Sequence, residues 1–326
     1  MYHLSRQHMM ALAFLLPALL PAQEITPQKS VVAFAFGVTH PRTPDGKPVL
    51  GPDNKPMVID GPLGTAFFVL YPDSRGGPNY AFMYVVTAKH VLRDADGSFL
   101  KEIRLRLNLL SPTAQQRCDF ITGIPVSDEK GNLIWFHDAD EAVDVAAFPL
   151  LPDQKKFDFK ALPTSMFVDD TKLRSRQVAE GDALYFIGMM TQYYGESKNY
   201  PVVRRGTLAL MTDEKIDTPT GRQKAFIAEL PSWPGNSGSP VLLNLGGMRG
   251  STIVAGSDLS FLGVLSGSFL NRFKATMLNA QTVVGGNDLN TGISFIVPAE
   301  RLKAVLDSPQ AQTLRDAEIQ RLPKSK

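Results

Sequence analysis

Apolar residues along this chain come in short runs of strand length, broken by Gly, Pro, Asp and Asn, and helical spacing is nearly absent until close to the C-terminal end. Runs of this kind lie at 31–36, 65–70, 82–86, 103–109, 133–136 and 145–148. They resume at 183–187, 207–210, 226–230, 241–243, 261–265 and 293–297. Ile103-Arg104-Leu105-Arg106-Leu107-Asn108-Leu109 alternates strictly, as a half-buried strand does. A loop over 153–171 divides the runs, so the pattern predicts an all-β chain in two halves, 23–165 and 166–326, of sandwich or barrel type. Two further stretches, 40–61 and 243–260, read as loops. The clearest helix spans 298–306, with Pro298 at its start and Leu302, Val305 and Leu306 on one face; the tail from Ser308 shows no pattern.

The first residues stand apart from the fold. Arg6 precedes an apolar run over 9–20, followed by Pro21-Ala22-Gln23, which predicts a signal peptide over 1–22. The run is shorter than the ~20 apolar residues of a transmembrane helix. The expectation is a secreted or periplasmic protein without a stable membrane span after cleavage. With 34 Lys and Arg against 32 Asp and Glu, the chain is no polycation, and nucleic acid is not an expected partner. A hydrophobic share of 44% excludes disorder and supplies a sizeable core. Cys118 is the single cysteine, so no intrachain disulfide can form, and it reads as a small, partly buried apolar residue. Nothing in the pattern specifies an oligomer.

Chemistry enters with the histidines. His3 and His8 leave with the leader, and His40, His90 and His137 are too few and too scattered for a metal site, so neither metal nor cofactor is expected. His40 lies in a Pro-rich loop and His137 in a carboxylate-rich stretch, and both read as solvated surface residues. His90 differs, because it ends the apolar run Val85-Val86-Thr87-Ala88-Lys89-His90, where a side chain is held rigidly and still reaches a cleft. Pro234-Gly235-Asn236-Ser237-Gly238-Ser239-Pro240 is a tight turn before an apolar strand. Its glycines leave the Ser237 hydroxyl uncrowded, and it can aim the Gly235 and Ser237 N–H groups at one point, as an oxyanion hole requires. By composition alone, an ordinary Gly/Asn/Ser turn between strands is the favoured reading. Asp144 heads the buried-looking run Val145-Ala146-Ala147-Phe148, where a carboxylate can accept a histidine Nδ1–H. Asp138, Asp140 and Glu141 read as a solvated loop, and Asp94-Ala95-Asp96-Gly97 as a turn.

In the order His90, Asp144, Ser237, the chain resembles the chymotrypsin-like (trypsin-like) serine peptidases. Thr87-Ala88-Lys89-His90-Val91 is similar to the family's histidine motif and Asp144-Val145-Ala146 to its aspartate motif. Gly235-Asn236-Ser237-Gly238-Ser239-Pro240 is similar to its nucleophile motif in the variant of glutamyl endopeptidases and HtrA-like relatives. Gly64-Thr65-Ala66-Phe67 resembles the strand before the histidine, Gly181-Asp182-Ala183-Leu184 the opening of the second barrel, and Phe261-Leu262-Gly263-Val264-Leu265-Ser266-Gly267 the substrate-pairing strand. The resemblance implies two six-stranded antiparallel β-barrels with a C-terminal helix. The cleft between them would take His90 and Asp144 from the first barrel and Ser237 from the second.

What the resemblance implies for activity is peptide-bond hydrolysis through an acyl-enzyme. Ser237 is the nucleophile, His90 the base, Asp144 its orienter, and the Gly235 and Ser237 N–H groups the oxyanion hole. A polypeptide substrate would add as a strand beside Leu265, Ser266, Gly267 and Ser268. Pro231 stands six residues before Ser237, where trypsin relatives carry Asp, and Leu265 where glutamyl relatives carry His, so a small or apolar P1 residue is expected; Glu229 would favour a basic one. The 243–260 stretch is expected to cap the cleft or hold a partner. The competing reading is a non-catalytic or latent protein-binding module on the same fold. Retention of all three side chains with their flanking glycines favours the enzyme.

Overall fold

The apolar runs form strands because most of them are covered on both faces. The computed structural model describes residues 26–249, 252–254, 259–272 and 288–322. The expected leader and part of the 243–260 stretch lie outside the described residues.

Eight strands make a first sheet: β1 (Val32–Thr39), β2 (Ile59–Pro72), β3 (Ala81–Thr87), β4 (Glu102–Asn108), β5 (Cys118–Pro125), β6 (Phe136–His137), β7 (Ala146–Pro149) and β8 (Leu162–Pro163). Their order is β5-β4-β1-β2-β3-β7-β6, antiparallel throughout, with β8 parallel on β2. The C-terminal half holds β9 (Ala183–Gly188), β10 (Val202–Leu210), a hairpin of β11 (Ile216–Thr218) and β12 (Gly221–Gln223), then β13 (Phe226–Glu229) and β14 (Pro240–Asn244). A second hairpin, β15 (Gly247–Arg249) and β16 (Thr252–Val254), precedes β17 (Leu259–Arg272) and β18 (Asp288–Pro298). Six of these close a barrel in the order β10-β13-β18-β17-β14-β9. The chain is therefore all-β in character, with one closed six-stranded barrel. Closure of the first half, expected for both, is not present in its strand order, because the end strands β5 and β6 do not pair and β6 is only two residues long.

Period-two alternation sorts the side chains into three cores. From β1, Ala33 and Ala35 face a core with Phe68, Val85, Leu105 and Trp135. Phe34 and Phe36 face the other way, into a core with Phe67, Tyr185, Ile187, Leu242 and Phe261. This second core draws on both halves, so the sheet and the barrel share it. The barrel interior is the third, with Leu184, Phe186, Val241, Leu243 and Leu265. Burial on both faces explains why runs such as 31–36 and 183–187 are continuous rather than alternating.

β4 departs from its alternating sequence. Ile103, Leu105 and Leu107 point inward as expected, but Arg106 on the opposite face is only 4% exposed. Loop residues Tyr194 and Asn199 cover it: Arg106 Nε donates to Asn199 Oδ1 at 2.6 Å, and its guanidinium lies 5.0 Å from the Tyr194 ring.

Three α-helices are described: α1 (Asp170–Ser175), α2 (Ala299–Leu306) and α3 (Pro309–Arg321). α2 is the helix expected over 298–306, with Leu302, Val305 and Leu306 buried. α3 occupies the tail in which the sequence shows no pattern. Ser308 caps it, its Oγ accepting from Ala311 N at 3.3 Å, and Pro309 opens the first turn. Its docking depends on a buried cation more than on an apolar stripe. Arg315 is 2% exposed, donates to the Leu306 carbonyl at 2.7 Å and the Tyr84 hydroxyl at 3.1 Å, and lies 4.2 Å from the Tyr71 ring. No helix among the described residues is long and apolar enough to cross a membrane.

Phe261 lies fully buried between the halves, its ring centroid 5.5 Å from Phe67 and 4.7 Å from Phe167. Phe261→Ala is expected to remove about 3–5 kcal/mol of stability. Urea unfolding followed by tryptophan fluorescence and far-UV circular dichroism checks this. Because the core is shared, both signals should shift together to lower urea; one half unfolding at its original midpoint would contradict the shared core.

Candidate active site

The site begins with the turn before β14. Gly235 and Gly238 hold φ values of +95° and +86°, a region that L side chains rarely adopt. Space imposes the same choice, since a Cβ on Gly238 would meet the Thr65 carbonyl oxygen at 2.1 Å and one on Gly235 would meet Thr191 N at 2.6 Å. Asn236 is fully buried and braces the turn. Its Nδ2 donates to the Met189 carbonyl at 2.8 Å, and its Oδ1 accepts from Trp233 N at 2.7 Å.

Thr65, in β2, ties this turn to the first sheet. Its N–H donates to the Ser237 carbonyl at 2.9 Å and its Oγ1 to the Gly235 carbonyl at 2.7 Å, while Oγ1 accepts from Met189 N at 2.8 Å. The Thr65 carbonyl accepts from Thr87 Oγ1 at 2.7 Å. The Gly64-Thr65 stretch is thus more than a strand before the histidine. It is the seat of the serine turn, a role without local sequence signature.

His90 follows β3 in a short 3-10 turn, Lys89–Leu92. Its backbone N–H donates to Asp144 Oδ1 at 2.8 Å, and its Nδ1 lies 2.6 Å from Asp144 Oδ2. The Asp144 side chain is 1% exposed and that of His90 41%. Burial works against the charged imidazole, but the adjacent Asp144 charge and its hydrogen bond outweigh it and hold the His90 pKa above the ordinary histidine value. Burial likewise opposes ionisation of Asp144, and the His90 charge together with hydrogen bonds from His90 and Ser266 holds that carboxyl below its usual range.

Ser266 joins the pieces. A register shift between Leu265 and Gly267 in the β17–β18 pairing leaves it as the extra residue of a bulge, a device that re-aims a side chain. Its Oγ donates to Asp144 Oδ2, and its carbonyl accepts the Ser237 hydroxyl at 3.3 Å. His90 and Asp144 from the first half therefore meet Ser237 from the second through Ser266. The Ser237 hydroxyl is turned toward Ser266 rather than toward the imidazole. Neither the Gly235 nor the Ser237 N–H donates to an acceptor among the described residues.

The expected substrate edge is shorter by one residue. Leu265 is fully buried in the barrel core, and its backbone N–H and carbonyl are both taken, by Ser239 O at 2.9 Å and Gly238 N at 2.8 Å. Pairing of β14 with β17 reaches only Val264, so the edge over Ser266, Gly267 and Ser268 faces no strand among the described residues. Beneath it, Ser294 Oγ donates to the Leu230 carbonyl at 2.7 Å and lies 3.1 Å from Ser232 Oγ.

Groups read as solvated surface are ion-paired. Asp138, Asp140 and Glu141 each meet a cation, Arg301 at 2.8 Å, Lys215 at 3.1 Å and the buried Lys89 at 2.8 Å, while Glu141 stays exposed. Two of these cations belong to the second half, so the loop leading to Asp144 is held from both sides. His40 is exposed but not free, its Nδ1 lying 2.6 Å from Asp94 Oδ2 with its N–H donating to Asp94 Oδ1 at 2.8 Å. These are the contacts of His90 with Asp144, yet the nearby Ser98 hydroxyl is bonded to Asp96 and has a glycine, Gly97, on one side only. His137 is half-buried, with Nδ1 3.0 Å from the Asp138 carbonyl.

No protein-family model matches the sequence, and no curated protein matches it. Solved structures similar to this chain include the HtrA-type protease AlgW in two decapeptide complexes, each 15% identical, with TM-scores of 0.46 and 0.45. These alignments cover 88% of this chain and 66% and 67% of the AlgW chains, so this chain spans about two thirds of their length. The apo MamO protease domain from Magnetospirillum magneticum is 14% identical, with a TM-score of 0.42, over 85% of this chain and 96% of that one.

The electrostatics of the pair can be measured without a substrate. In NMR titration of the His90 ring, the wild-type midpoint is expected above that of an ordinary histidine. Asp144→Asn should lower it, because the attraction is lost while the burial remains. An unchanged midpoint would show that Asp144 does not set it. The sign for stability follows: the charged pair contributes fully below the unfolded histidine's pKa, and that contribution is lost as pH rises through the folded value.

Proposed function

We propose that this protein is an exported serine endopeptidase of chymotrypsin-like type, acting through Ser237, His90 and Asp144. The observation that carries the reading is the junction at Ser266. It bonds the Asp144 carboxylate that holds His90 Nδ1 and also the Ser237 hydroxyl. Residues far apart in sequence are thereby gathered at one point, beside two N–H groups without acceptors among the described residues.

The chemistry follows from these positions. The Ser237 hydroxyl turns from the Ser266 carbonyl to His90 Nε2, which takes its proton as Oγ attacks the scissile carbonyl carbon. Asp144 holds Nδ1 protonated and stabilises the imidazolium. The raised His90 pKa means that the neutral base is present only above that value, so activity should rise with pH through it. The oxyanion receives the Gly235 and Ser237 N–H groups, each such donor being worth about 3 kcal/mol. His90 then protonates the leaving amine, and water attacks the acyl-enzyme by the same route in reverse. The open edge over Ser266–Ser268 accepts the substrate backbone as an added strand. Next to that edge Ser294 pairs with Ser268 and turns its hydroxyl to Leu230 and Ser232, and these small residues support a small P1 residue. The Glu229 side chain is exposed on the alternate face from Ala228 and Leu230, which weighs against a basic one. Export rests on the sequence over 1–22.

A second reading has one observation in its favour. The Ser237 hydroxyl is bonded to Ser266 and not to His90, as in a latent enzyme or a module that binds peptide without cleaving it. Labelling of the purified protein by a fluorophosphonate separates the two. Wild type is expected to label, and Ser237→Ala and His90→Ala to lose the label. Folded wild-type protein that stays unlabelled would favour the binding module.

A further inference from the structure

Gly235 lies between two peptide groups, and the carbonyl of each is held by a threonine. The Pro234 carbonyl accepts from Thr191 N at 3.0 Å and from Thr191 Oγ1 at 3.2 Å, and the Gly235 carbonyl accepts from Thr65 Oγ1 at 2.7 Å. Among the described residues all peptide bonds are trans, so the N–H of each peptide points opposite its C=O. With the Pro234 carbonyl drawn to Thr191, the Gly235 N–H is turned to the other side, where it meets no acceptor among the described residues.

A glycine makes this orientation a real choice. Rotating the Pro234–Gly235 peptide by half a turn changes ψ at Pro234 and φ at Gly235, and glycine accepts φ of either sign. The turn's own residues therefore leave both orientations open. In the reversed one, a carbonyl oxygen would face the developing oxyanion and repel it.

Resting on the acyl-transfer reading above, we infer that Thr191 is a positioning residue, which latches the Pro234 carbonyl and so keeps the Gly235 N–H available to the oxyanion. The latch is itself anchored. Two residues earlier, Met189 is bonded through its N–H to Thr65 and through its carbonyl to Asn236. Further along, Asn199 exchanges hydrogen bonds with Arg106 and Asn108 of β4, at 2.6–3.2 Å. Thr191 thus sits on a segment fastened to the first sheet at both ends, and it meets the turn at a distance that only glycine at 235 permits.

Thr191→Val keeps the backbone donor and the side-chain shape but removes Oγ1, and Thr191→Ser keeps the hydroxyl. Fluorophosphonate labelling is measured as kinact and KI separately. Thr191→Val is expected to lower kinact about five- to thirtyfold with KI unchanged, less than loss of a whole oxyanion donor, and Thr191→Ser to restore it to within about threefold. A merely structural role would not produce that split or that rescue. Equal kinact in wild type and Thr191→Val would overturn the inference while leaving the proposed function intact. If wild type does not label, the proposed function fails, and the crystal structure of Thr191→Val then decides. A Pro234–Gly235 peptide that is reversed or occupies both orientations supports the latch, and one that keeps the wild-type orientation alone overturns it.

Discussion

The contact of Phe67 and Phe261 across the seam between the sheet and the barrel is the constraint on which the site depends. Phe67 lies two residues after Thr65 on β2, so both point to the same face. Packing the phenylalanine into the shared core carries the threonine to the serine turn. In that dry setting each polar group needs a partner, because an unmet hydrogen bond is far more costly inside than in water. Thr65 meets the requirement with four bonds to backbone and side-chain groups. The few orphans, Ser239 Oγ among them, show how tightly the turn is enclosed. Gly188 opposite leaves room for that hydroxyl but offers it no partner.

Electrostatically the centre is one buried carboxylate. Asp144 accepts from His90 N, His90 Nδ1 and Ser266 Oγ, which offsets the cost of holding a charge at 1% exposure. The His40–Asp94 pair repeats the backbone N–H and the imidazole contact at the same distances and lacks the rest. What separates the His90 pair from this surface pair is the surroundings: a bulged serine, an enclosed carboxylate and a turn with glycines on both sides of its serine. The cations paired with Asp138, Asp140 and Glu141 steady the approach to Asp144 from both halves.

Much of this was legible in the sequence. Runs of strand length located β1 to β4, β7, β9, β13, β14 and the cores of β17 and β18, because burial on one or both faces imposes a pattern on the strand itself. α2 was legible from its apolar face. α3 was not, since its docking uses Arg315 under Tyr71, and a buried guanidinium leaves no apolar stripe. Arg106 misled for a related reason: alternation reports which residues face one core, and it is silent on a loop that later covers the other face. Closure of the first half did not follow from strand count, because closure needs β5 and β6 to pair and one of them is too short. The open edge of β17 starts at Ser266 and not at Leu265, because both backbone groups of Leu265 are already bonded, to Ser239 and Gly238.

By itself the sequence determined which residue types stand at each turn and strand end: a histidine after β3, a carboxylate before β7, and a serine between glycines before β14. Those follow from local sterics and short-range periodicity. Only the tertiary structure decided which donors face which acceptors. The bonds that define the site join Thr65 to Gly235 across 170 residues, Met189 to Thr65 across 124 and Ser266 to Asp144 across 122. A hydrogen bond between such distant partners imposes no period on the chain around it. It exists only once the shared core has brought the two halves together.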